Sequence, residues 1–260
     1  MQNLKIIFED EYLLVVDKPS GLVVDKSDTQ SSGTLEDWLV NYSNTWMYQS
    51  KLPRMGIVHR LDKDTSGVLL VAKTQEALEN LQAQFKERKI KKEYLTLIHG
   101  LVEKSGVVEG DIGRNPGNRE KFTVLEDGGK EASTEYEPVE SLVMSSEFID
   151  KIFEDYNKIQ LRKLRTQNYE LYTLLAVRPK TGRTHQIRVH LKYINHPVVA
   201  DEKYVGRKMY RLDKRWCPRL FLHARKLGFF HPKLGDWMEL ESELPEDLLG
   251  VLRLFGVKNG

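Results

Sequence analysis

A short polar segment of the sequence concentrates the side chains that could do chemistry. It runs from Gly56 to Gly67 and is followed by the apolar run Val-Leu-Leu-Val-Ala, which predicts a strand buried on at least one face. A surface turn explains the second half, because Asp, Thr, Ser and Gly form turns through local hydrogen bonds and a permissive backbone. It does not explain His59–Asp62. Functional side chains commonly lie on loops held by rigid elements, so the residues alone leave an active loop and a turn as equal alternatives.

Two carboxylates lie close together in this segment, at Asp62 and Asp64. In an extended chain, residues two apart share a face at about 6.5 to 7 Å, which is a spacing that suits an inverting glycosidase. The neighbouring cations Arg60 and Lys63 favour an ionised carboxylate instead. A single charged aspartate, acting as a nucleophile or base, is the simpler interpretation, and a glycosidase or nucleosidase that uses both acids stays open.

Charge is segregated along the chain although its total is small. Forty Lys and Arg against 38 Asp and Glu give a formal charge of +2. Residues 86–92 hold five bases and one acid, residues 203–219 hold seven bases and one acid, and residues 236–247 hold six acids and no base. Such a distribution favours a basic face for a polyanion, with solvated helix faces as the alternative for each run alone.

Several common kinds of site are not indicated by the sequence. The single cysteine, Cys217, excludes an internal disulfide or a cysteine cluster and fits a reducing cytoplasm. His185 and His190 are five residues apart instead of the four of a zinc-binding helix, so we expect no metal. No glycine fingerprint for a nucleotide, no signal peptide and no apolar run of membrane-spanning length is found, so we expect no nucleotide cofactor and no membrane.

Strands and capped helices are predicted around the polar segment. Thr34–Asp37 has the form of a capping box ahead of a short helix, and Thr74 can cap a helix whose apolar residues recur at helical spacing. Hairpins are expected within 105–129. Further strands are predicted at Leu4–Phe8, Leu13–Val16, Tyr94–Gly100, Lys130–Val139, Leu171–Val177 and Leu220–Ala224, and a helix closes the chain.

A second functional segment is predicted near Arg183. Thr184 is placed to cap a helix, and a basic loop joined to a helix N-terminus is a favourable anion site. Residues 203–219 are predicted to form a second basic loop with interleaved aromatic side chains. Residues 143–168 are charged and partly helical, and this excursion is too short to bury a core of its own. We therefore expect one mixed α and β domain over residues 1–260, with two lobes around a cleft.

The polar segment resembles the signature of the RluA family of RNA pseudouridine synthases, through His59–Asp62 and Thr65–Gly67. Five further motifs follow that family's order: Tyr12–Leu22, Lys92–Leu95, Gly182–Leu191, His196–Asp201 and Leu222–Ala224. The resemblance spans roughly residues 4–240. It departs from the family in two places, because the catalytic opening begins within the first few residues, without the frequent N-terminal S4-type RNA-binding domain, and because the 143–168 excursion is long.

The resemblance implies an α+β pseudouridine synthase fold, with a mixed, largely antiparallel central sheet, flanking helices and loops, and two lobes around a catalytic cleft. It implies that uridine is isomerised by breaking the N1–C1′ bond, turning the base and rejoining it through C5, without a cofactor. By similarity Asp62 is the essential aspartate, Arg183 its counter-ion and Tyr94 the residue that contacts the uracil ring. Whether Asp62 attacks the sugar, attacks the ring or initiates elimination stays open.

The resemblance also implies structured RNA as the partner, with ribosomal RNA favoured over transfer RNA, and we expect a monomer. Arg60 would enter the space left by a flipped uridine. The remaining candidate RNA contacts are His59, Leu222, Lys89, Lys91, Lys92 and Arg188. Core packing explains Leu222 equally well. A non-catalytic RNA-binding or ribosome-assembly protein of the same fold is the alternative of another class.

Overall fold

The structure is a computed structural model that describes residues 4–26, 30–42, 52–166 and 169–257. Its strands are β1 (Lys5–Glu9), β2 (Leu13–Lys18), β3 (Ser66–Ala72), β4 (Lys91–His99), β5 (Gly106–Asn115), β6 (Asn118–Leu125), β7 (Lys130–Val143), β8 (Leu171–Pro179), β9 (Leu222–Phe230) and β10 (Trp237–Glu241). Its helices are α1 (Leu35–Tyr42), α2 (Gln75–Lys86), α3 (Ser146–Ile152), α4 (Lys158–Thr166), α5 (Gln186–Tyr193), α6 (Arg207–Asp213) and α7 (Glu246–Leu254).

The chain divides into two compact units. Unit 1 comprises Met1–Glu93 and His223–Glu243, and unit 2 comprises Tyr94–Leu222 and Leu244–Gly260. The boundaries fall inside β4 and at the start of β9, so two strands contribute residues to both units.

In unit 1 the strands follow the order β1-β2-β3-β9-β10. β3 pairs antiparallel with β2 and parallel with β9, where Ser66 lies opposite His223 and Gly67 opposite Ala224. All seven residues of β3 are buried, which confirms the strand predicted after the polar segment. One core cluster, which includes Val68 and Leu70, joins β3 to helix α2 and to Phe229 of β9.

The capped helices of unit 1 are confirmed. Thr34 Oγ1 accepts a hydrogen bond from the Asp37 amide at 3.3 Å, and an Asp37 carboxylate oxygen accepts one from the Thr34 amide at 3.1 Å, so α1 begins with a reciprocal capping box. Thr74 accepts a hydrogen bond from the Ala77 amide at the start of α2.

In unit 2 the strand order is β4-β8-β7-β5-β6, and these neighbours pair antiparallel. Of the hairpins predicted within 105–129, one is present, formed by β5 and β6. Together, the elements of the two units confirm the α+β class with largely antiparallel pairing. The described part of the chain contains no helix long and apolar enough to cross a membrane.

The 143–168 excursion packs into the core of unit 2. It forms α3 and α4, and Ile149, Phe153 and Leu164 are buried in a cluster with Tyr172 and Trp216. Its residues 167 and 168 lie outside the described part. A segment too short for a core of its own thus shares the core of its neighbours.

Two local predictions are wrong. The N-cap of helix α5 is His185, which has a left-handed backbone, and not the predicted Thr184. Residues 203–219 are not one loop, since helix α6 lies within them. The acidic run 236–247, for which no structure was predicted, contains strand β10, whose glutamates pair with basic side chains of β9, as in Arg225 with Glu241 at 2.6 Å.

Candidate active site

The Asp62 loop, defined here as residues 56–67, is bounded by two glycines that other residues cannot replace without strain. Both have a positive φ, of 79° at Gly56 and 118° at Gly67. A Cβ at Gly56 would collide with the Ala72 carbonyl oxygen, and one at Gly67 with that of Ala224. Both ends of the loop therefore make close backbone contacts within unit 1 that only glycine permits.

The loop contains a turn immediately after Asp62, in which the Thr65 amide donates to the Asp62 carbonyl at 3.1 Å. Thr65 and Ser66 are buried. The interpretation of Asp64, Thr65 and Ser66 as a turn that holds Asp62 in place is consistent with this geometry.

A second segment, residues 18–22, fastens the turn from outside, and we call it the loop clamp. The fully buried Lys18 donates from Nζ to the Lys63 carbonyl at 3.1 Å, and the Gly21 amide donates to the same carbonyl at 2.8 Å. Ser20 Oγ donates to the Asp64 carbonyl at 2.8 Å. The backbone that follows Asp62 is thus fixed by three hydrogen bonds from a distant part of the sequence, which restricts the movement of the chain that carries the carboxylate.

The ammonium of Lys18 is itself well supplied with acceptors. Besides the Lys63 carbonyl it donates to the carbonyls of Pro19 at 2.9 Å and Leu22 at 2.8 Å. A buried ammonium has three protons to place. Lys18 Nζ therefore links two carbonyls within the clamp, those of Pro19 and Leu22, to one carbonyl of the Asp62 loop.

A buried histidine joins the end of the loop to β9 and to the chain after β10. His223 Nε2 lies 3.0 Å from the Ser242 carbonyl, which can only accept, so Nε2 carries the proton. Nδ1 then accepts from Ser66 Oγ at 2.9 Å. Both side chains are buried, and the pair fixes the start of β3.

His59 has a structural role in unit 1. Its Nε2 accepts a hydrogen bond from the Leu70 amide at 3.0 Å, and its ring stacks on Phe85 with 5.1 Å between centroids. Burial, together with the charges of Lys92 and Arg54, lowers the pKa of His59 to about 3, so the ring is neutral. Direct RNA contact by His59 finds no support in this placement and stays a prediction.

Arg60 is exposed but not isolated. Its Nη1 lies 3.3 Å from Asp25, whose other carboxylate oxygen accepts from Arg54 Nε at 3.1 Å. Arg54 and Met55 both have left-handed backbones, with φ of 51° and 54°, which is uncommon outside glycine. A single carboxylate is thus shared by two guanidiniums beside the loop, so one net positive charge remains, and the exposed pair of Arg60 contributes little stability.

The three candidate lysines of unit 1 lie in different surroundings. Lys89 is exposed and pairs with Glu87 at 2.7 Å, and the Lys91 Nζ lies 5.3 Å from the centroid of the Trp237 ring. Lys92 is partly buried, and burial lowers its pKa to about 8.

The Lys92 amine is expected to titrate far below an ordinary lysine. Competitive acylation followed by peptide mass spectrometry should give a reactivity midpoint near pH 8. In the unfolded chain the Lys92 amine keeps its proton up to about pH 10.4. Between about pH 8 and this value the unfolded chain therefore binds more protons than the folded chain. The free energy of unfolding should consequently rise with pH over this range. Lys92→Met should remove this rise in the free energy of unfolding. A reactivity midpoint near pH 10.4 in the wild-type protein would show that the Lys92 amine is not buried in solution.

In unit 2, Tyr94 and Leu222 belong to the same apolar packing. Leu222 is buried in a cluster with Val177 and Ile187, and the partly buried Tyr94 packs against this cluster. Ile187 belongs to α5, so the helix that begins within the Gly182–Leu191 motif packs on the same cluster as Tyr94. The burial of Leu222 agrees with its interpretation as a core residue, and Tyr94 and Leu222 lie in the same apolar packing.

Arg183 lies on a loop fastened by one buried amide, Gln186. Its Oε1 accepts from the Arg183 amide at 3.0 Å and from Thr181 Oγ1 at 2.7 Å, and its Nε2 donates to the Ser133 carbonyl at 3.0 Å. The Arg183 side chain donates from Nε to the Glu131 carbonyl at 2.9 Å. A guanidinium has five N–H donors, so this bond is compatible with pairing of its Nη edge to a carboxylate.

Arg188 is placed inside unit 2 and not on its surface. Its Nε and Nη2 donate to the two oxygens of Asp201 at 2.7 and 2.8 Å, both side chains are buried, and the guanidinium lies 5.1 Å from the centroid of the Tyr204 ring. A buried bidentate pair of this kind is unsuited to phosphate contact. The expectation that Arg188 binds RNA directly is therefore not supported.

Sequence reasoning missed Lys18, Asp25 and His223 as residues that position the site. Lys18 and His223 lie within motifs that carry the family resemblance, which is the signal that could have indicated them. Asp25 carries no such signal in the sequence. Within the described ranges, no group of three or more His, Cys, Asp or Glu side chains could hold a metal ion.

The family model described as RNA pseudouridylate synthase matches residues 12–193 of the chain. The chain is 40% identical over 259 residues to "Ribosomal large subunit pseudouridine synthase D" of Nitrosomonas europaea, covering 96% of this chain and 64% of that protein. It is 41% identical over 253 residues to "Uncharacterized RNA pseudouridine synthase" of Aquifex aeolicus, covering 95% of this chain and 72% of that protein.

Among solved structures, "Human RNA Pseudouridylate Synthase Domain Containing 1" superposes with a TM-score of 0.67 at 25% identity, covering 99% of this chain and 97% of that one. The fold therefore agrees with the motifs, whose order along the chain predicted the same family. By sequence motifs, family match and fold, the chain belongs to the RNA pseudouridylate synthase family.

Proposed function

We propose that this chain is an RNA pseudouridine synthase that isomerises specific uridines of structured RNA. The observation that carries the proposal is the Asp62 carboxylate on a loop held by two obligatory glycines and the loop clamp, in a chain of this family. The reaction breaks the N1–C1′ bond and forms a C5–C1′ bond, with the C5 proton removed and N1 protonated. Atoms and electrons balance without a co-reactant, so we propose that no cofactor takes part.

We further propose that Asp62, Tyr94 and Arg183 act on the same uridine. Arg183 is proposed as the counter-ion of the Asp62 carboxylate, as the family resemblance implies. The Tyr94 ring contacts uracil, and its hydroxyl assists removal of the C5 proton. Two observations support this proposal. The three residues occupy the motif positions of the family, and each lies on a loop or strand that hydrogen bonds or apolar packing hold within its own unit.

Arg60 is proposed to occupy the space vacated by the flipped uridine. Flipping a base costs a few kcal/mol, and a guanidinium that stacks in the gap offsets part of that cost. Exchange of its exposed contact with Asp25 for this position requires little energy, since exposed ion pairs contribute about 0–1 kcal/mol.

Ribosomal RNA is the favoured target, because the Nitrosomonas relative is named for the large ribosomal subunit. Transfer RNA is the second candidate. The chain incubated with each RNA, followed by carbodiimide mapping, should give new reactive uridines in ribosomal RNA. Released uracil with no new reactive uridine would indicate a nucleosidase instead. RNA binding without any product would indicate a non-catalytic RNA-binding protein.

Lys89 and Lys91 are proposed to contact RNA phosphates. Reversing both charges, in Lys89→Glu with Lys91→Glu, is expected to weaken RNA binding and to reduce its salt dependence by about two units of slope, since each phosphate contact adds roughly one. Anisotropy titrations at several salt concentrations measure both effects. Lys104→Glu, outside the basic segments, is the charge control, and an unchanged slope would place the RNA elsewhere.

We also propose that the protein acts as a monomer in the cytoplasm, where a single buried thiol at Cys217 stays reduced. Light scattering during gel filtration, with and without RNA, tests the oligomeric state.

A further inference from the structure

An exposed pair of aromatic rings lies on the β9–β10 hairpin of unit 1. Trp237 stands directly opposite Phe230 across the two strands, with 5.1 Å between ring centroids and an interplanar angle of 73°. Trp237 is 39% and Phe230 is 41% exposed. Cross-strand aromatic pairs stabilise a hairpin, and about two fifths of each of these two residues also stays exposed, where a partner can reach the rings.

The backbone beneath these rings is closely packed and held by hydrogen bonds. A Cβ at residue 228 would collide with the Trp237 indole, so glycine at this position lets the ring lie close against β9. Gln84, which is buried, donates to the Phe230 carbonyl at 2.7 Å and accepts from the Phe230 amide at 2.9 Å. The rings therefore stand on a backbone that is already ordered before any partner binds.

Positive charge surrounds the pair. The Lys91 ammonium lies 5.3 Å from the Trp237 ring centroid. Phe230 also lines a surface pocket of about 360 Å³ together with Lys89 and Lys233. The ion pairs of these last two lysines are exposed, with Glu87 at 2.7 Å and with Glu76 at 3.9 Å. Such pairs contribute little and can be exchanged for phosphates.

Aromatic faces interleaved with lysines are the chemistry that recognises unpaired nucleotides, because bases stack on the rings while cations follow the backbone. RNA is recognised largely through such unstacked bases. A protein partner would bring its own apolar surface but would not need three lysines around two rings. We infer that Phe230, Trp237, Lys89, Lys91 and Lys233 form a second RNA contact, outside the Asp62 loop, which stacks an unpaired base of the substrate. This inference rests on the proposed function, because it assumes that RNA is bound.

The test compares two RNA probes against the full chain by fluorescence anisotropy: a hairpin with an unpaired loop, and a fully paired duplex of the same length. Trp237→Leu keeps an apolar side chain at this position but removes the aromatic face on which a base can stack. It is expected to weaken hairpin binding by about tenfold, which is the loss of one stacked base, and to leave duplex binding close to that of wild type. Trp237→Phe restores a ring and should recover most of the affinity.

Tyr193→Leu is the matched control, since Tyr193 is an exposed aromatic residue of unit 2 that lies outside the proposed contact. Equal losses for hairpin and duplex, unchanged hairpin binding, or failure of Trp237→Phe to recover affinity in a folded variant would each overturn the inference. Unchanged hairpin binding would indicate that this surface binds a protein partner and not RNA. If wild type binds the hairpin in the expected way but forms no pseudouridine in the mapping experiment, the proposed function fails and the contact stands.

Discussion

Replacing Asp62 with Asn is expected to abolish pseudouridine formation and to leave RNA binding close to that of wild type. The amide has nearly the same shape as the carboxylate but carries no charge, so it cannot act as nucleophile or base. Loss of such a group typically lowers the rate by about 10⁴-fold or more. The surrounding backbone should stay in place, because the loop clamp holds it through the carbonyl groups of Lys63 and Asp64.

Single-turnover assays on ribosomal RNA measure the rate, and filter binding measures the affinity. Asp64→Asn is the matched control, two positions along the same loop, and is expected to retain most of the activity because Asp64 serves the turn. Full activity in Asp62→Asn would disprove the mechanism. Equal losses in both variants would point to a pair of carboxylates working together.

Replacing Arg188 with Ala is expected to destabilise the protein by about 3–5 kcal/mol. The substitution leaves the fully buried Asp201 carboxylate without its bidentate partner, and an uncompensated buried charge is costly. Asp201 Oδ1 also accepts from the amides of Lys203 at 3.0 Å and Tyr204 at 3.2 Å. The loss should therefore spread to the chain that enters α6.

Urea unfolding followed by circular dichroism measures this effect. Arg178→Ala is the control, since its pair with Glu137 is exposed and should contribute about 0–1 kcal/mol. The double variant Arg188→Met with Asp201→Leu removes both charges and should recover part of the stability. Recovery is incomplete because the two amides lose their acceptor. A loss below about 1 kcal/mol in Arg188→Ala would mean that the pair is not buried in solution.

Elements with strong local signals were predictable from the sequence. The apolar run after Gly67 became the fully buried β3, and Thr34 and Thr74 begin α1 and α2 as their spacing indicated. Thr184 failed as a cap because the left-handed backbone at His185 moves the helix start to Gln186, where a buried amide organises the loop. A propensity rule cannot anticipate that tertiary contact.

The roles of individual basic residues were less predictable, because a charge pattern does not show which side chains fold inward. Arg188 lies in a basic motif, yet Asp201, thirteen positions along the chain, turns it into a buried pair. Lys92 continues a basic run, yet burial lowers its pKa to about 8. Asp25, which holds Arg60, lies 35 positions before it, and nothing in the local sequence connects the two.

The loop clamp makes the reactive segment a poor candidate for transplantation. Residues 56–67 grafted onto another scaffold would carry the aspartate but not the hydrogen bonds from Lys18, Ser20 and Gly21, nor the carbonyls of Ala72 and Ala224 that dictate glycine at the loop ends. A smaller protein that keeps the loop anchored in the same way would need β2, β3 and β9 as well. Transfer of the anchored loop thus requires part of a sheet with its turns, and transfer of the proposed activity would also require Tyr94 and Arg183 of unit 2.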